Sequence, residues 1–145
     1  MSDSAIRKAY SVVLGTDRPT IAMWPVMTGV GSVAGTLLTP GAAAWGAYAD
    51  IIAAAAIATE FWCLEAVFTV AAGAFGVREV QIWNATAGVF VYCCRVHVTA
   101  ATMNLAPFPI PIPVHCNAKA QIQGRSGATN AADTTRCSLL VATGV

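Results

Sequence analysis

Four prolines at positions 107, 109, 111 and 113, inside the run Ala106–Arg125 (APFPIPIPVHCNAKAQIQGR), restrict this chain more than any other feature of its sequence. Each proline fixes its own φ and drives the preceding residue toward β or polyproline II, so the run has to be extended. Alternate N–H groups of an extended chain point to one side, and the four missing donors therefore lie along one edge. Phe108, Ile110, Ile112 and Val114 keep their donors for the other edge and are expected to share one apolar face. Such a strand pairs on one side only. It closes a sheet or a subunit contact without templating further strands. Pro107, Pro109, Pro111 and Pro113 together form a candidate interface edge.

Charge is the next constraint. Only 10% of the 145 residues are charged, against about a quarter in ordinary soluble domains. The 8 basic and 7 acidic residues nearly cancel and form no basic stripe, which argues against nucleic-acid binding. A surface so poor in charge favours association, and points to burial in an assembly or in a membrane. Mean hydropathy is +0.64, yet no segment makes a good spanning helix. Glu60 and Glu65 interrupt 51–77, three prolines and five glycines interrupt the uncharged run after Arg18, and the proline ladder breaks 96–118. A small membrane protein is the weaker reading. MSDSAIRKAY carries no adjoining apolar stretch of a secretory signal. Without one, the odd set of five cysteines (63, 93, 94, 116, 137) reads as free, mostly buried thiols.

Taken in order, residues 1–44 are expected to form an extended arm and 45–145 a β-sandwich domain. The arm mixes apolar residues with Gly, Thr and Pro (TGVGSVAGTLLTPG) at no sustained period, and would be stable laid over its own sandwich or a neighbour. Trp24 and Trp45, in or beside it, are either core residues or interface anchors. Strands are then expected over 49–58 and over 60–70, the latter with Trp62, Leu64, Ala66, Phe68 and Val70 inward. Over 77–84, Arg78, Val80 and Ile82 should face inward. Segment 89–98 is apolar on both faces, as for a strand covered on both sides. The proline strand follows. Over 117–124, Ala118, Ala120 and Ile122 should face in, and Arg125–Asp133 is a loop by composition. The last strand spans 134–143, with Cys137, Leu139 and Val141 on one face. Short strands at intervals of about ten residues indicate an all-β sandwich or jelly roll.

Few constellations suggest chemistry. Gly29-Val-Gly31-Ser-Val-Ala34 matches a dinucleotide pattern, but no βαβ unit can be built around it. Cys93 and His97 would stand about 13 Å apart on a strand, too far to share one metal unless His115 or Cys116 joined them. No G-x-S-x-G or H-E-x-x-H occurs, and the carboxylates are scattered. Glu60, Glu65, Glu79, Arg78 and Arg95 are expected to form cross-strand or rim ion pairs. No catalytic, cofactor or metal residue is assigned; a lectin-like module would need a polar pocket that the sequence does not display.

The passages TPGAAAWGAYADIIAAAAIATEFWCLEAVFTV and PIPVHCNAKAQIQGRSGATNAADTTRCSLLVATGV, within about the last 105 residues, resemble small virion proteins of tailed bacteriophages. Those chains carry an N-terminal arm and a β-sandwich ending in an x-P-x-x-[IV] strand, a Gly-x-x-Ile-x-x-Arg strand, a Ser/Ala loop and a final strand. Pro113-Val114 and Ile122-Gln-Gly-Arg125 fall in those places, and Asn117 stands where a glycine turns the chain. Asn tolerates the left-handed conformation, so the turn survives. The resemblance implies a non-enzymatic capsid decoration (cement) protein, or a tail, baseplate or fibre component. It further implies a homo-oligomer, a trimer, bound to the major capsid protein or other virion proteins. Its place would be the virion, assembled in the host cytoplasm, with no nucleic acid or membrane partner and no cofactor.

Overall fold

The computed structural model describes residues 19–26, 35–73, 75–99 and 108–144. Every regular element among them is a strand, and the ten strands form two antiparallel five-stranded sheets. Sheet A is built on β10 (Thr135–Thr143), which pairs with β5 (Phe61–Val70) on one side. Along the other side of β10 lie β1 (Thr20–Trp24) and β2 (Thr36–Leu38), one after the other. The proline strand, β8 (Phe108–Cys116), pairs with β5 and ends the sheet. Sheet B is built on β9 (Ile122–Ala128), flanked on one side by β3 (Ala44–Trp45) and β4 (Ala49–Ile52). On its other side come β6 (Gly76–Asn84) and then β7 (Val89–Val98), which ends this sheet. The chain is an all-β sandwich, as its spacing of short strands predicts. No helix among the described residues is long and apolar enough to cross a membrane.

Burial of alternate side chains holds the sheets face to face. Phe68, Leu139, Val141 and Cys137 of sheet A meet Val80, Ile82 and Ile122 of sheet B in one core. Arg78, Val80 and Ile82 do face inward. Arg78 is buried, not at the rim: its guanidinium donates to the carbonyls of Thr134 (2.6 Å) and Ala72 (3.0 Å) and to the Thr135 hydroxyl (3.2 Å), and it is attracted by the buried Asp133 carboxylate. It thereby satisfies carbonyls where the loop before β10 passes the end of β5.

Several expected faces are corrected by bulges. The β5–β8 register jumps between Cys63 and Glu65, so that residues 110–113 of β8 oppose only Leu64. Alternation resets there. Phe61 and Cys63 point into the core in place of Trp62 and Leu64, while Ala66, Phe68 and Val70 remain inward. The same jump separates Ile110, 5% exposed, from Ile112, 45% exposed, so the four apolar residues of the proline strand do not share one face. Strand β7 is a sheet edge with Phe90, Cys93, Arg95 and His97 exposed, not a strand covered on both sides.

Three boundaries also move. β4 stops at Ile52, because residues 53–59 turn the chain, with Ala55 at φ 63°. Ala118 is exposed in a turn whose left-handed residue is Lys119 (φ 65°), and β9 begins only at Ile122. It runs on through Arg125–Ala128, part of the expected loop. The small residues there serve close packing: Ser126 is buried and donates to the Leu38 carbonyl at 3.3 Å.

The described residues of the expected arm lie on the chain's own sandwich. β1 and β2 pair with β10, and Leu38 sits in the core at 0% exposure. Thr36 Oγ1 donates to the Asp50 carbonyl at 2.8 Å, tying β2 to β4 across the sheets. The Gly29–Ala34 pattern lies outside the described residues.

Candidate functional site

Two surfaces stand out, the open side of the sandwich and the outer face of sheet B. On the open side the two sheet edges, β7 and β8, flank a groove of about 560 Å³. Ile110 and Val91 are buried in it, and Phe90, Tyr92, Pro111 and Ile112 form its walls. Phe90 is 55% exposed and Val89 beside it is also exposed. The two edges differ chemically. β8 lacks donors at Pro109, Pro111 and Pro113, whereas β7 is ten residues long with no proline.

The outer face of sheet B is organised by register into three transverse rows. Trp45 of β3, Gly127 of β9, Glu79 of β6 and Arg95 of β7 make the first. Arg125, Gln81 and Cys93 make the second, and Asp50, Gln123, Trp83 and Phe90 the third. Rows two residues apart lie about 7 Å from one another, and four strands span about 14 Å. Side chains within the face brace each other. Arg95 Nε donates to Glu79 Oε1 at 2.6 Å. Arg125 Nε donates to Gln81 Oε1 at 2.8 Å, and its guanidinium sits 5.0 Å from the Trp45 ring and 4.6 Å from the Tyr48 ring. Gln121 and Gln123 both donate to Asp50 Oδ1 at 2.9 Å. Trp83 and Phe90 pack edge to face at 4.8 Å.

Gly127 leaves a gap in the first row. A Cβ there would come within 3.3 Å of Cδ2 and Cε3 of Trp45, so the indole rests against bare backbone. Around this point is a depression of about 410 Å³, lined by Trp45, Val77, Glu79, Arg95, Gly127 and Thr129. This polar depression is what the sequence alone could not reveal, since it needs the register of four strands.

The candidate interface residues fall in different places. Pro109, Pro111 and Pro113 lie on the β8 edge; Pro107 lies outside the described residues. Trp24, on β1 opposite Leu139, is half-buried against the core, and Trp45 belongs to the outer face of sheet B. Of the expected ion pairs, Glu79–Arg95 forms, and Glu60 meets His115 at 3.2 Å. His115 also lies 5.0 Å from the Trp62 ring.

The cysteines are unpaired among the described residues, with Cys63, Cys116 and Cys137 buried, Cys94 half-buried and Cys93 exposed. Cys63 and Cys116 touch across β5 and β8, Sγ to Sγ at 3.9 Å. Within that pair Cys116 ionises first, because Cys63 and Asn84 hydrogen-bond to it; Cys63 is held well above the ordinary thiol range by the same bond and by burial. No three His, Cys, Asp or Glu side chains stand together as metal ligands among the described residues.

No family model matches the chain, and no curated protein matches it. Among solved structures it is similar to a chain of the disulfide-linked pili of Bacillus endospore appendages. That match has 13% identity and a TM-score of 0.44, over 90% of this chain and 94% of that one. It is also similar to a chain of infectious bursal disease virus, Gx strain, at 12% identity and a TM-score of 0.39, over 88% of this chain. Only 33% of that viral chain is covered. The capsid protein VP2 of the same virus, as a D431N mutant in T=1 particles, matches at 12% identity with a TM-score of 0.39.

Proposed function

We propose that this chain is a non-enzymatic structural protein of a virus particle, a capsid decoration protein that binds and stabilises a phage head lattice. The observation that carries the reading is the open side of the sandwich. There two sheet edges and an apolar groove are exposed on a chain with only 10% charged residues. Exposed apolar edges of this kind are satisfied by association. The reading is a homo-oligomer, taken as a trimer, whose further partner is the major capsid protein. Trp24 and the proline edge, Pro107, Pro109, Pro111 and Pro113, are assigned to its contacts, and its location is the virion. The likeness to tailed-phage virion proteins in the last 105 or so residues supports the same assignment.

The test is sedimentation of the purified protein at micromolar concentration, with and without the substitutions Phe90→Ser and Ile112→Ser. The expected outcome is an oligomer that the double variant dissociates, the dissociation constant rising at least about tenfold. A stable wild-type monomer would count against the assembly reading. Cryo-electron microscopy of the particle then separates head from tail: density on the head lattice supports decoration, and density on the tail supports a baseplate adaptor or fibre.

A further inference from the structure

We propose that the outer face of sheet B binds a neutral oligosaccharide, with one sugar ring seated in the depression at Gly127 between Trp45 and the Glu79–Arg95 pair. The inference rests on sheet B, and its central residues, Trp45, Gly127, Glu79 and Arg95, lie apart from the groove of the open side.

A pyranose has two chemically different aspects. Its ring C–H groups form an apolar face that lies on an aromatic ring, and its hydroxyls, each donor and acceptor, project around the rim. A site for it therefore needs an indole or phenol beside paired acceptors and donors, in a concavity of roughly 300–1,000 Å³. The depression measures about 410 Å³ and has this composition. Trp45 supplies the apolar wall. Its position is set by the bare backbone of Gly127 and by Arg125 over the ring, whose guanidinium is itself held by Gln81 and Tyr48, and the part of the indole that lines the depression is what a sugar would meet. An indole braced in this way loses little freedom on binding, which preserves affinity.

Across the gap, Arg95 and Glu79 face the depression with 74% and 37% of their side chains exposed. Their mutual hydrogen bond engages Arg95 Nε and Glu79 Oε1. The terminal guanidinium nitrogens and Oε2 are thus available to hydroxyls as charge-assisted donors and acceptor. Thr129 adds a hydroxyl at the rim. The neighbouring rows extend the surface in the same chemistry, with Gln81, Gln123 and Asp50 interleaved with Tyr48, Trp83 and Phe90. A face about 14 Å across accommodates more than one ring.

Charge selects the neutral class. Arg95 is neutralised by Glu79, and Arg125 is enclosed by two aromatic rings and Gln81. Arg95 and Arg125 are matched on this face by Glu79 and Asp50, so it carries no excess positive charge to favour an acidic sugar over a neutral one.

The experiment is titration of the full chain, followed by calorimetry and tryptophan fluorescence, with short soluble oligomers of glucose, galactose, mannose and N-acetylglucosamine. Saturable binding of at least one oligomer is expected. Trp45→Ala should weaken it at least about tenfold, with Trp45→Phe retaining part of the affinity. Glu79→Gln should weaken it less. Ile112→Ser, on the open side, should leave sugar binding unchanged, so that this inference and the assembly reading fail separately. Absence of binding by every oligomer overturns the proposal. So does full affinity in a Trp45→Ala variant that still melts cooperatively. If Trp45→Ala lowers the sedimenting mass while no sugar binds, the face is a protein contact, and the proposal is likewise overturned.

Discussion

The two sides of the sandwich use the same kind of strand and end differently. On the side of β2 and β4 the chain seals itself. Leu38 is wholly buried, Thr36 bonds to the Asp50 carbonyl, and Ser126 bonds to the Leu38 carbonyl. Gly124 makes the seal possible, for a Cβ there would come within 2.9 Å of Ile51 Cδ1 and 3.2 Å of Leu38 Cδ2. On the side of β7 and β8 nothing among the described residues crosses between the sheets in this way. Phe90 and Ile112 stand exposed over a groove instead. One side completes the core, and the other offers apolar surface. The core behind the open side is nonetheless filled, by Ile110, Val91 and Val96.

The comparison is broken most directly at Leu38. Leu38→Ala should cost about 2–5 kcal/mol, the range for a buried leucine, while Ile112→Ala should stay within about 0.5 kcal/mol of wild type. Denaturant melts of the two variants decide it. Equal losses would mean that the open side is as much core as the sealed one.

Alkali offers a second, smaller test. Cys94 on β7 is pushed up to about 12 by burial and by the neighbouring Cys93, and burial drives Cys137 on β10 higher still. Folding holds both thiols neutral, so their contribution is fully present below the ordinary value of 9.0. It is lost as pH rises through the folded values, because the unfolded chain then releases protons that the folded one retains. Melts should show stability falling progressively above about pH 9. Cys94→Ala should reduce the fall up to about pH 12, leaving the part due to the buried Cys137 and Cys63. A flat profile through that window would show that the fold shields neither Cys94 nor Cys137 from water.

The smallest effect concerns the prolines. Pro109→Thr and Pro111→Thr should each cost about 0.4–1 kcal/mol through a freer unfolded chain. Aggregation, followed by light scattering, should rise as the β8 edge regains donors. Large destabilisation without aggregation would show that these prolines hold the bulge opposite Leu64 and do not guard an edge.

Period-two patterning made much of the fold legible. The inward faces of β6 and β10 follow from alternation in Arg78–Ile82 and Cys137–Val141. The proline spacing placed β8 at a sheet edge. Misassigned faces cluster where a strand changes phase, at Cys63–Glu65 and at Ile110–Pro113. No local pattern marks such a jump, because it depends on which residues the partner strand supplies. Arg125–Ala128 has the composition of a loop but is a strand, and its small residues fit what lies against them, Gly127 under the Trp45 indole and Ser126 against the Leu38 carbonyl. Trp45 was visible as a candidate contact residue; the glycine beneath it and the ion pair across from it were not.

By itself the sequence determined the strand-forming character of the chain, the one-sided edge of β8 and a surface poor in charge. Each follows from backbone restriction or from side-chain chemistry within a few residues. Tertiary structure alone decided which side of the sandwich is sealed and which residues meet on the outer face of sheet B. Trp45, Glu79, Arg95 and Gly127 come from four strands, and only hydrogen-bonded register brings them into one row. Register is set by pairing partners far apart in the chain, and a shift of one residue would turn each of these side chains to the opposite face.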